Sequence, residues 1–410
     1  MARVLLLLPT TTYRASDFLG AAAKLGADVT VASEEPSTLA SRNPAGLLTL
    51  DFRDPAECAR RVVEFSRSHP VDAVVGVDEE TALAAAAISG ALGLPANPAR
   101  AVAAARDKSL LREALEAAGV PSPGFRVFRI EERPEEAAAA VRYPCVLKPT
   151  FLAGSRGVIR ADDPESFGAA WKRIAAILAE PDVAGRGGEA ARRILVEEFV
   201  PGAEVAVEGL LTDGGLEVLA VFDKPDPLDG PYFEETIYVT PSRLSTATQD
   251  DVRRTTEWGC RALGLEQGPI HAELRLGPSG PVVIELAARS IGGLCSRTLT
   301  FGTGLSLEEV ILRHALGARD ETVRREPGAA GVLMVPIPAA GRLEAVRGLE
   351  EAHAVADVVD VVISAHLGQR LVPLPEGSRY LGFVFSRASS PERAEAALRE
   401  AHSKLVFEIR

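Results

Sequence analysis

From residue 3 to about residue 98 the chain alternates short apolar runs with stretches whose apolar positions recur at helical spacing. Buried parallel strands read as near-continuous apolar runs, and the crossovers between them are helical, so this alternation marks a parallel α/β layer. The pattern predicts strands over residues 4–8, 28–32 and 73–77. Helices are predicted over 15–25, 55–68 and 79–92, the last stopped by Gly93 and Pro95. Helical sequence resumes from residue 98 to 119, and strands then alternate with helices to about residue 324, enough for two α+β subdomains clasping a cleft. Beyond residue 328, apolar runs at 332–336, 355–363 and 380–385 and a closing helix at 391–404 predict a small separate α+β domain. The fold class expected is therefore mixed, α/β followed by α+β, with divisions at 1–98, 99–326 and 327–410.

A chain of 410 residues is too long for one hydrophobic core, which agrees with two to three domains in series. No apolar run approaches the roughly 18 residues of a membrane span. One Arg before the first strand, with no small-residue cleavage pattern after it, argues against a secretory signal and makes the cytoplasm the expected address. Cys58, Cys145, Cys260 and Cys295 lie far apart and form no CxxC pair, so reduced thiols are expected. The formal charge is −12 and the basic residues are scattered, which leaves no nucleic-acid footprint and favours small-molecule partners. Only six of the 45 basic residues are lysines, so each lysine is informative. The first strand runs into Pro9-Thr10-Thr11-Thr12 where a dinucleotide site needs GxGxxG, which argues against that reading.

The chemistry concentrates between residues 105 and 293. Pro144-Cys145-Val146-Leu147-Lys148-Pro149 reads as a strand delivering Lys148 to a cleft, and the following TFLAGSRGV run holds Gly154, Ser155, Arg156 and Gly157. Such a loop brings backbone N–H groups to phosphate oxygens, because glycines allow close approach; a plain hairpin turn is the alternative. Lys108 opens a helix, where free N–H groups already favour an anion, although Asp107-Lys108 also reads as a solvated cap. Glu197, Glu198, Val200 and Glu204 end one strand and open the next, and carboxylates there suit neutral donors of a base and a sugar. His271-Ala272-Glu273 and Ile284-Glu285 put two acids on strands joined by a Gly turn. Two inward carboxylates among Val and Ile need a cation, either a metal or Arg289.

In this order and spacing the motifs resemble the ATP-grasp superfamily, over nearly the whole chain to about Leu316. The resemblance implies a pre-ATP-grasp domain at 1–98, an ATP-grasp domain at 99–326, and ATP with Mg2+ or Mn2+ as cofactors. By the same match Lys108 and Lys148 hold ATP phosphates and the Gly154–Gly157 loop is a lid, with Phe151 and Leu152 an apolar cover. Glu197 lies in the adenine hinge with Glu198 and Val200, Glu204 holds ribose, and Glu273 and Glu285 hold the metal. Arg289 stabilises the transferred phosphoryl group or anchors the substrate carboxylate. Relatives carry Asn where this chain has Ala287, which leaves one metal-ligand position empty.

Val221-Phe222-Asp223-Lys224-Pro225, Tyr232-Phe233-Glu234-Glu235, His271, Ser290-Ile291-Gly292-Gly293 and a C-terminal domain over 327–410 are similar to the L-amino-acid ligase branch. That resemblance implies a carboxylate–amine ligase working through an acyl phosphate and releasing ADP and phosphate. Glu234 or Glu235 would meet a substrate amino group, Arg289 and the 290–293 backbone would hold the oxyanion, and Gly292, Gly293 and His271 would border the substrate. His271 also reads as a satisfied core histidine, and Glu234, Glu235, His271 or water stay open as the base. The substrates expected are a small carboxylate and an amine, with no nucleic acid, no membrane and a homodimer as the assembly relatives often form. Two alternatives stand beside it: a carboxylase-type or purine-pathway enzyme activating bicarbonate or formate, and a non-catalytic nucleotide-binding protein.

Overall fold

The computed structural model describes residues 1–318 and 323–410. Strands Leu47–Thr49, Asp28–Ser33, Arg3–Leu7 and Ala73–Gly76 lie side by side, all parallel, in that order. Side chains alternate along the central strand: Val4 and Leu6 face the core shared with the middle of the chain, while Leu5 and Leu7 pack on Cys58, Val62 and Ile88 of the flanking helices. Those helices, Ala15–Lys24, Pro55–Ser66 and Glu79–Leu92, fall within two residues of their expected limits. Asp54 caps the second by accepting from the Glu57 N–H at 3.0 Å, and Gly93, at φ 70°, ends the third.

Residues 125–198 form a lobe of their own, a sheet in the order Phe125–Arg129, Arg193–Glu198, Cys145–Pro149, Ile159–Ala161, backed by helix Pro164–Leu178. Below it lies an eight-stranded antiparallel sheet. Its order is Gly280–Ala287, Gly268–Gly277, Glu204–Thr212, Gly215–Lys224, Ile237–Thr240, Ala329–Val335, Gly382–Ala388, Val358–Ile363. Helices Ala99–Arg106, Lys108–Ala117 and Thr246–Leu263 cover one face of its first half, and Pro391–Lys404 covers its second half.

The C-terminal region is joined to the middle of the chain through this sheet. The last three strands of that order belong to residues 327–410, and Ala329–Val335 pairs directly with Ile237–Thr240, so that one core holds Ile237 and Val239 with Leu333, Val384 and Leu398. Strands Gly341–Arg347 and Val406–Ile409 were not foreseen. GRLEAVR interleaves charges with small residues and is largely solvent-facing, so it offers no apolar run.

Candidate active site

The cleft between the lobe and the large sheet is open to solvent and spans about 690 Å³ with that solvent included. Of the residues singled out from the sequence, Lys108, Lys148, Gly154, Ser155, Glu197, Glu198, Val200, Glu204, Glu235, Glu273 and Glu285 line it; Arg156, Gly157, Glu234, His271, Arg289, Gly292 and Gly293 do not.

Val146 and Glu197 face each other across the lobe sheet, so Lys148, two residues along on the same face, reaches Glu197 diagonally. Its Nζ lies 2.6 Å from Glu197 Oε2, and Arg112 Nε lies 2.6 Å from Glu197 Oε1. Burial pushes the Glu197 carboxyl up, but Arg112 and Lys148 outweigh it and hold the group below the usual range. Glu197, expected in the adenine hinge, lines the cleft with each oxygen already engaged by a cation, leaving one lone pair apiece. Lys108 is no solvated cap. Asp107 does cap the helix, accepting from the Ser109 N–H at 2.9 Å, but Lys108 turns inward to Leu152 O at 2.9 Å and Glu285 Oε2 at 3.6 Å.

The glycine loop carries left-handed backbone at Gly154 (φ 63°), Ser155 (φ 54°) and Gly157 (φ 74°), where a Cβ on Gly157 would stand 2.8 Å from Pro149 Cγ. Arg156 points away from the cleft and pairs with Glu180 at 2.6 Å, so it is not the phosphate donor expected. Leu152 is buried, and the Phe151 ring lies against Gly187, which agrees with an apolar cover.

Strands Glu204–Thr212, Gly268–Gly277 and Gly280–Ala287 build the acidic wall. Glu273 and Glu285 are register partners, as are His271 and Glu208, Arg275 and Glu204, and His271 and Ala287. Glu204, Glu235 and Glu273 each bring an oxygen within 4.8 Å of the others. Into their midst comes Lys224, whose Nζ contacts Glu235 and lies 2.7 Å from Glu204 and 3.3 Å from Glu273. Burial would depress the Lys224 ammonium, yet the three carboxylates raise it well above the usual lysine value. The Tyr238 hydroxyl donates to Glu235 at 2.7 Å, and Arg275 holds Glu204 at 2.9 Å and the Val200 carbonyl at 2.7 Å. Glu204, expected to hold ribose, is thus doubly ion-paired.

Burial drives the Glu285 carboxyl up, and Lys108 and Arg289 reverse this and hold it down. An all-oxygen, half-buried acid set of this kind fits a hard divalent cation. Ala287 supplies no ligand, and the residue opposite it is His271. That imidazole faces Glu208 at 3.2 Å and Glu273 at 3.6 Å. Burial alone would lower its pKa; the two carboxylates overcome this and raise it to about 9. His271 is therefore a satisfied imidazolium at neutral pH, not the base that had been left open. Glu234, half-buried, meets the Ile337 N–H and not the cleft.

Arg289 is drawn toward the N-terminal layer, its Nε donating to Glu79 at 2.9 Å and its Nη1 to the Ser290 carbonyl at 3.0 Å. In the 290–293 segment the Ile291 N–H is not open to an oxyanion, since it donates to buried Glu208 at 3.0 Å, and Arg14 binds Ser290 Oγ at 2.8 Å and Ile291 O at 3.1 Å. Gly293, at φ 60°, fits closely under the Phe383 ring. Lys224, Arg275, Glu208 and Arg112 are the site residues sequence reasoning missed. Two had a signal: Lys224 is one of six lysines, and Arg275 alternates with Ala272 and Leu274 in step with His271 and Glu273, the period-2 mark of one strand face.

Residues 141–298 match the model of the ATP-grasp domain, residues 19–96 that of the ATP-grasp N-terminal domain, and residues 333–410 that of the L-amino acid ligase C-terminal domain 2. Carnosine synthase 1 of Gallus gallus is 31% identical over 72% of this chain and 33% of its own length. Alanine–anticapsin ligase of Bacillus subtilis is 27% identical over 62% of this chain and 56% of its own. The chain thus spans only a third to just over half of these curated relatives. The crystal structure of L-amino acid ligase from Bacillus licheniformis superposes with a TM-score of 0.83 at 27% identity, covering 100% of this chain and 99% of that one. The chain belongs to the ATP-grasp superfamily and ends in a C-terminal domain of the L-amino acid ligase type.

Proposed function

We propose that this protein is an ATP-dependent carboxylate–amine ligase that forms an amide or peptide bond and takes an amino acid as a substrate. The observation that carries this reading is the meeting of two buried lysines, Lys108 and Lys148, with the facing carboxylates Glu273 and Glu285 in one cleft. Phosphates need the first pair and a phosphate-bound cation needs the second. The relatives' names, an L-amino acid ligase and an alanine–anticapsin ligase, support an amino acid on at least one side of the bond. We divide the chain for this purpose at 1–98, 99–326 and 327–410.

In this reading the substrate carboxylate attacks the γ-phosphorus of ATP, ADP leaves, and an amine displaces phosphate from the acyl phosphate. Lys108 and Lys148 offset the phosphate charge from the lobe side, with Glu197 fixing Lys148. Magnesium or manganese on Glu273 and Glu285 would supply Lewis-acid neutralisation of the phosphoryl oxygens. With no ligand at Ala287 and the cationic His271 opposite, one metal ion is favoured over two. Arg289 lies outside the cleft lining but close enough to Glu285 to help hold that carboxyl down, and from there it would anchor the substrate carboxylate and meet the oxyanion; the Ile291 N–H, committed to Glu208, would not. Glu235 is the carboxylate on the cleft that meets the substrate amino group.

Incubation with ATP, magnesium, hydroxylamine and a panel of amino acids tests this, because hydroxylamine traps an acyl phosphate as a hydroxamate. ADP and hydroxamate in equal amounts with at least one amino acid is the expected result. ADP formation that depends on bicarbonate, or none with any acid, would overturn it.

A further inference from the structure

The glycine loop is held from above by a segment of the C-terminal region. Gly157 N–H donates to the Pro375 carbonyl at 2.8 Å. Gly154 faces Ser378 so closely that an added Cβ would lie 3.2 Å from Ser378 Cβ. Between these two contacts stands Glu376, which grips Arg173 with both carboxylate oxygens, one of them 2.9 Å from Nη2. Arg173 belongs to helix Pro164–Leu178, on the back of the lobe that carries the loop. The same guanidinium bonds the Tyr232 hydroxyl and lies 5.2 Å over its ring, and Tyr232 in turn bridges to Ile159 just beyond the loop. One arginine thereby ties together the lobe, the segment before Glu234, and residues 373–378.

An ordered loop with three left-handed residues loses much conformational freedom, so something must hold it. Glu376 and Arg173 are both partly exposed, and a single exposed ion pair has little worth; the two-pronged geometry is what gives this one purchase. We propose that Glu376 is a positioning residue for the reaction: through Arg173 it clamps residues 373–378 onto the glycine loop, so that the loop stays closed over the triphosphate. This rests on the ligase reading above for its purpose, since an open loop would let water attack the acyl phosphate, regenerating the acid and releasing phosphate without an amide. The geometry assigns the C-terminal region a share in nucleotide closure, in addition to any contact with substrate.

The test needs no turnover. Hydrogen exchange of the Gly157 amide is followed in the full chain with magnesium and the non-hydrolysable analogue AMP-PNP, and the dissociation constant for that complex is measured alongside. Glu376→Gln is expected to speed exchange about fivefold and to weaken AMP-PNP binding about threefold, and the charge reversal Arg173→Glu with Glu376→Arg to restore both to within about twofold, as suits a bidentate surface pair. Unchanged exchange in Glu376→Gln overturns the clamp. Faster exchange with unchanged affinity, or loss of affinity that the reversal does not rescue, overturns the positioning role. If the wild-type chain forms no ADP with any acid, the ligase reading falls, and these two measurements still decide whether the clamp exists.

Discussion

Lys224→Met removes one ammonium and nothing else of comparable volume, so it isolates what that charge does. The wild-type side chain is 3% exposed and faces three carboxylates, of which Glu204 has a second cation in Arg275 and Glu273 has one in His271, while Glu235 has only the Tyr238 hydroxyl beside it. Removing one partner from a buried ionic cluster costs about 3–5 kcal/mol, because the remaining charges lose their compensation and gain no water. At about 2 °C per kcal/mol, suited to a large protein, thermal unfolding should fall by roughly 6–10 °C. Two further arms give the number a mechanism. Adding Glu235→Gln should recover part of the loss, since burial and Glu273 already raise that carboxyl and it is the easiest to do without. Magnesium or manganese should stabilise Lys224→Met more than wild type, by about 2.7 kcal/mol when the free ion is a hundredfold above its dissociation constant, because three oxygens then surround an empty cation position. Differential scanning of the three proteins with and without metal decides it. A melting point within about 2 °C of wild type, with no metal response, would refute the claim that Lys224 holds these acids together.

Lys148→Met should lower ADP formation by about 10²–10³-fold, the usual cost of losing one preorganised charge at a transferring group, with nucleotide binding assayed separately. Stability should vary with pH through His271. Its pKa is about 6.5 unfolded and about 9 folded, so its contribution is complete below about pH 6.5 and is lost as pH rises through about 9; denaturant midpoints from pH 6 to 10 should fall less steeply in His271→Gln. Gly293→Ala forces a side chain onto left-handed backbone 3.1 Å from the Phe383 ring and should cost about 1–3 kcal/mol, read by chemical denaturation.

Local pattern carried the elements a long way and their partnerships much less far. Helix 79–92 was legible to the residue because Gly93 supplies a left-handed cap, and Lys148 with its glycine loop was legible because a lysine inside an apolar strand is costly without a purpose. Periodicity does not reveal that Arg112, 85 residues before Glu197, would claim its carboxylate. Nor does it separate Glu234 from Glu235, whose neighbours are Ile337 past the end of one strand and Lys224 at the end of another. Nor does the pattern show that Arg156, in the glycine loop, would pair with Glu180 just past helix Pro164–Leu178.

The continuity of the eight-stranded sheet limits how this protein can be cut or recombined. A truncation near residue 326 would uncover Ile237–Thr240, four fully buried residues with every hydrogen-bonding group on one side left open, which is a template for aggregation. Exchange of the C-terminal module between related ligases must therefore preserve the seam between Ile237–Thr240 and Ala329–Val335, side chain for side chain. A chimera joined at the apparent linker would inherit a mismatched sheet interior even if both parents fold well.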